Sequence, residues 1–120
     1  MSCVLRISGP GVKASLSKIS LEPFRLENEA VHFDVSGADF DDLKTQIKDA
    51  IAFLQSHRAD VQLMLSNPEA SGVLDFAMEW RDVAVQFDNL PAALVREAGS
   101  LGLELELSHY PASDERDAKA

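Results

Sequence analysis

Short runs of strictly alternating apolar and polar residues recur along the chain, and residues 72–88, GVLDFAMEWRDVAVQFD, carry the strongest alternation. Leu74, Phe76, Met78 and Trp80 fall at every second position of the first half, and Val83, Val85 and Phe87 do so in the second. A period of two marks a strand with one buried face. The phase flips between Trp80 and Val83, so a two-residue turn at Arg81-Asp82 predicts a hairpin. Its inward pairs are Trp80 with Val83, Met78 with Val85 and Phe76 with Phe87. Its outward pairs are Glu79 with Ala84, Ala77 with Gln86 and Asp75 with Asp88. One long strand with a bulge near Arg81 also explains the flip but forgoes the pairing.

The same reading predicts three further strands. Cys3, Leu5 and Ile7 alternate with Val4, Arg6 and Ser8 ahead of Gly9-Pro10-Gly11. Residues 30–36 place Val31, Phe33 and Val35 inward, with His32, Asp34 and Ser36 outward. Residues 103–108, LELELS, place three leucines inward and Glu104 and Glu106 outward. Between these runs the period lengthens to that of a helix. Val12, Leu16 and Ile19 predict a short helix closed at Leu21-Glu22-Pro23. A helical stripe from Phe40 to Leu65 begins among Asp39, Asp41 and Asp42, with Asp39 as its expected cap and Asp42 in its first turn. Straight, it would run ~39 Å, about twice a six-residue strand, so a break is expected near Ser56 to Arg58. Leu90-Pro91 opens a last helix with Leu90, Leu94, Val95 and Ala98 on its inner face.

The predicted order is β-α-β-α-β-β-α-β, an α+β domain over residues 1–110, with 111–120 expected to be a disordered tail. Strands apolar on one face fit an antiparallel or mixed sheet with helices on one side, and exclude a doubly wound sheet. Residues 31–108 alone read as the ferredoxin-like β-α-β-β-α-β pattern, which the first strand and helix extend by one strand.

Composition narrows the function. The 120 residues carry a net charge of −9, with +1 in residues 1–30, −9 in residues 31–110 and −1 in residues 111–120. Such a surface repels phosphate backbones and anionic bilayers and steers basic proteins toward it. No apolar run reaches the ~20 residues of a membrane span, and residues 1–10 lack the apolar core of a secretory signal, so a cytoplasmic protein is expected. The single cysteine, Cys3, excludes an internal disulfide and a cysteine-based zinc cluster, and its phase makes it a small buried hydrophobe.

Candidate chemistry gathers on the polar side of the strands: Arg6, His32, Asp34, Asp75, Glu79, Glu104 and Glu106, with Gln86 beside them. Ferredoxin-like strand order would set Glu104 and Glu106 beside His32 and Asp34, where one histidine and two or three carboxylates could take a divalent metal. The plainer reading is a solvated acidic face with Arg6 and His32 offsetting some repulsion. No nucleophile elbow, phosphate loop or His-Glu-x-x-His occurs, so no catalytic residue, cofactor or resident metal is assigned. His57-Arg58 reads as a solvent-facing bend, and Trp80 as a cap on the core edge.

Several of these features together carry a resemblance. VLRISG at residues 4–9, Leu21-Glu22-Pro23, the acidic helix start at 39–42, and a helix headed by Leu90-Pro91 that runs into GLELEL resemble a family of small bacterial domains of unknown function. That family has an extended ferredoxin-like sheet and is often grouped with immunity proteins of polymorphic toxin systems. The segment 24–30 is shorter than in the family. The resemblance implies a non-enzymatic interaction module, immunity-like, with a basic protein partner and no catalytic residues. A small-molecule or divalent-metal-binding protein using His32, Asp34 and Glu106 is the alternative.

Overall fold

The computed structural model describes residues 1–111, so the tail expected beyond Tyr110 lies, from residue 112 on, outside the described residues. Five strands form one mixed sheet: β1 (Cys3–Ser8), β2 (Arg25–Leu26), β3 (Ala30–Ser36), β4 (Ser71–Trp80) and β5 (Glu104–Pro111). Three helices complete the domain: α1 (Leu43–Ser56), α2 (Arg58–Met64) and α3 (Ala92–Ser100). A 3-10 helix at Lys13–Lys18 stands where the first short helix was expected.

The sheet runs β2-β3-β1-β4-β5. β1 is antiparallel to both β3 and β4, and β4 is parallel to β5. β3, β4 and β5 therefore run one way, with β1 inserted against them. The general α+β expectation holds, and the finer arrangement differs from it in three ways. β1 is a central strand rather than an addition at the edge. The two-residue β2, against β3, had no sequence signal strong enough to find it. And the hairpin is absent: β4 ends at Trp80 and residues 81–91 form neither strand nor helix.

The hairpin fails because β4 has no free edge. Residues 71–76 pair with β1 on one side, while residues 73–80 pair with β5 on the other. Beyond β1, Ala77 N–H donates to Ser2 C=O at 2.8 Å and Glu79 N–H to Phe40 C=O at 3.1 Å. A returning strand would have to displace one of these neighbours.

The inward phases read from the strands form the core. Leu5, Phe33 and Leu74 meet across three strands, with Ile7, Val31, Cys3 and Phe76 beside them, all buried. α1 covers them with Ile47, Ala50 and Leu54, α2 with Val61 and Met64, and α3 with Leu94 and Ala98. The helix breaks at His57 (φ −115°, ψ 23°), as the length of the stripe required. Its ring packs half-buried on Phe53 with centroids 4.8 Å apart. The cap differs from expectation: Asp42, not Asp39, holds the α1 N-terminus by accepting from Thr45 N–H at 3.2 Å. Phe40 consequently precedes the helix and packs on Tyr110, with centroids 5.3 Å apart.

Polar contacts also tie the helices to the rest of the fold. Gln46, fully buried on α1, donates through Nε2 to Ala77 C=O at 2.7 Å and Asp39 C=O at 3.2 Å. Asp60 on α2 accepts from Ser20 N–H, Ser20 Oγ–H and Leu21 N–H at 3.0–3.3 Å, holding the early crossover against the helices.

Candidate functional site

With the described helices on one side, the other face of the sheet is uncovered among the described residues, and period-two alternation places the candidate polar residues on it. Strand pairing arranges them in two rows. One crosses Arg25, His32, Arg6, Val73 and Glu104; the other crosses Asp34, Val4, Asp75 and Glu106. Glu79 and Tyr110 continue the face where β4 and β5 end. All seven predicted residues thus share one surface. The two arginines of the face, Arg25 and Arg6, lie on β2 and β1 with Asp34 on β3 between them, while Asp75, Glu79, Glu104 and Glu106 cluster on β4 and β5.

The strand order separates residues that the metal reading needed together. β3 and β5 stand three strand spacings apart, ~14 Å, so His32 and Asp34 do not adjoin Glu104 and Glu106. His32 is also engaged elsewhere. It is 8% exposed, its ring packs near Phe24 at 6.1 Å, and Nε2 hydrogen-bonds Glu27 Oε1 at 2.5 Å. That bond, with Arg25 adding to it, holds the Glu27 carboxyl below the usual range. Among the described residues no group of three or more His, Cys, Asp or Glu side chains is placed to hold a metal ion.

Within the acidic cluster the charges are sparsely compensated. Arg6 reaches across β4 to Glu106 at 3.9 Å, with the two side chains 35% and 50% exposed, a geometry of little energetic value in water. Asp75 accepts from Ser108 Oγ–H at 2.8 Å. Glu79 and Glu104 have no cationic partner within ion-pair distance among the described residues. Cys3 lies beneath this face, and its burial, aided by Asp75, Asp34 and Asp49, pushes the thiol far above its ordinary pKa. It is a packing residue.

A second surface was misread as core. After Trp80 the chain forms a strap whose polar side chain turns in and whose apolar side chains turn out. Gln86 Nε2 donates to Glu79 C=O at 3.0 Å and Asp88 Oδ2 at 2.8 Å, and its Oε1 accepts from Arg81 N–H at 3.0 Å. Val83, Val85 and Phe87 project into solvent, Phe87 to 80% exposure. Trp80, expected to cap the core, is 38% exposed and stands edge-on to His109. The same alternation that marks a buried strand marks this presented one, so sequence alone offered no signal to separate them.

An open groove of ≈ 460 Å³ between α1, α2 and α3 is lined by Gln55, Arg58, Arg96, Glu97 and Ser100. Arg58 is committed there to Glu97 and Ser100 at 3.2 and 2.9 Å. Compared with protein-family models, with curated proteins and with solved structures, the chain matches none.

Proposed function

We propose that the protein is a non-enzymatic interaction module that engages a basic protein through the outer face of its sheet. The observation that supports this most is the cluster of Asp75, Glu79, Glu104 and Glu106 on adjacent strands of a face that, among the described residues, no helix covers and only Arg6 crosses with an ion pair. Like charges held on neighbouring strands cost stability, and a protein gains nothing in folding by keeping them there. They do build a local negative potential that accelerates encounter with a positive surface. An immunity-like role, with a basic toxin as the partner, is the form of this reading that the sequence resemblance implies.

The test is capture from extract of the source cell at low salt, with the parent protein and a variant carrying Asp75→Asn, Glu79→Gln, Glu104→Gln and Glu106→Gln. A basic protein held by the parent and lost by the folded variant supports the reading. Equal capture by both refutes it.

A further inference from the structure

The strap and the sheet edge beside it are two halves of an unmade contact. No backbone N–H or C=O of residues 82–90 bonds to another backbone group among the described residues, although residues 83–87 have the alternation of a strand. The two edges of the sheet are also unlike. β2 is blunted, two residues long and preceded by Pro23, whereas β5 runs eight residues with an unbroken register. A long regular edge presents a row of unpaired backbone groups, which proteins ordinarily shorten, bulge or cover. Along it Leu105 and Leu107 are only partly buried, so the apolar side of the sheet stops short of full cover there.

The chain cannot close this contact on itself. Trp80 to Val83 is three residue steps, at most about 11 Å, whereas the seat opposite Leu107, which pairs with Phe76, lies ~9.6 Å across the sheet and about 13 Å back along it, roughly 16 Å away. Both edges of β4 are occupied. The strap of one molecule can reach the β5 edge only of another.

We propose that residues 83–87 are a docking strand for a second copy of this chain, pairing antiparallel with its β5. One register satisfies both faces. Inward, Val83 meets Leu107, Val85 meets Leu105 and Phe87 meets Leu103, extending the apolar side. Outward, Ala84 faces Glu106 and Gln86 faces Glu104, so no like charges are opposed. A β5–β5 contact that matched Leu105 with Leu107 would instead set Glu106 against the same residue of the second copy. Charge therefore selects the strap, which carries no ionisable residue between Asp82 and Asp88. Among the described residues each copy has one strap and one free edge, so a two-fold exchange closes at two copies.

Sedimentation equilibrium across micromolar to millimolar concentration tests this. The parent reaches twice the 13.1 kDa chain mass. Val85→Asp and Phe87→Asp, at positions 62% and 80% exposed in the single chain, keep the parent's circular dichroism and raise the dimer dissociation constant at least ~10-fold by setting an unpaired carboxylate in the contact. Hydrogen exchange supplies the second readout: β5 amides that do not bond to β4 become protected as parent concentration rises, and stay unprotected in the variants. A parent that remains a single chain throughout overturns the proposal, as does growth beyond two copies, or a dimer whose constant and β5 protection neither substitution changes.

Discussion

Phe76 and Phe87 would face each other in a hairpin, and the fold puts them in opposite situations. Phe76 is fully buried on central β4, against Cys3 of β1 and Leu107 of β5, while Phe87 is 80% exposed on the strap. Truncating Phe76 to alanine removes on the order of 150 Å² of buried ring, worth ~4 kcal/mol at ~25 cal/mol per Å², within the ~3–5 kcal/mol typical of Phe→Ala in a core. That is a large share of the ~5–15 kcal/mol stability of a domain this size. Phe87→Ala should change stability by less than about 0.5 kcal/mol, as surface substitutions do. Urea titration followed by far-ultraviolet circular dichroism measures both, at the lowest workable protein concentration so that association contributes nothing. A loss above ~2 kcal/mol for Phe87→Ala, or below ~1 kcal/mol for Phe76→Ala, would refute the single-strand assignment of residues 71–80.

Two further outcomes follow from buried or shared polar groups. Gln46→Ala leaves the Asp39 and Ala77 carbonyls without their donor, and should cost ~2–3 kcal/mol in the same titration; a neutral result would mean that water replaces the amide. Desolvation works against the charge of Asp60, but three donors from Ser20 and Leu21 outweigh it and hold the carboxyl below its ordinary value. A depressed folded-state pKa stabilises above the unfolded value and loses that contribution as pH falls through the folded one. The parent should therefore exceed Asp60→Asn in stability at neutral pH, with the gap closing below about pH 4; a gap that widened in acid would reverse the assignment.

Much of the fold was legible because it depends on local periodicity. The inward residues of β1 and β5 follow from alternation, as do those of β3 as far as Phe33; a register shift at Val35 turns Ser36 inward, where its Oγ donates to Asp49 of α1. The break at His57 follows from the length of an apolar stripe set against the length of a strand. Strand order was not legible, because period two says which side a residue faces and nothing about which strand lies beside it. The seven polar residues were thus placed on the correct face, while the neighbours proposed for His32 were wrong. The strap was misread for a related reason: Val83, Val85 and Phe87 have the pattern of a core strand, and only the pairing of β4 on both sides shows that no place remains for them. β2 escaped notice because two residues have no period, and its partner His32 is buried by Phe24 rather than by its own strand phase.

Charge-steered recognition by the sheet face is tested most directly by association kinetics of the captured basic partner as ionic strength rises from ~0.02 to ~0.5 M, over which the Debye length falls from about 20 to about 4 Å. The parent's on-rate should fall steeply with salt. With Asp75→Asn, Glu79→Gln, Glu104→Gln and Glu106→Gln combined, it should start lower and lose most of that slope, while the urea midpoint stays near the parent's. A folded quadruple variant that binds the same partner at the parent's rate, with the parent's salt dependence, would contradict the proposed role of these carboxylates.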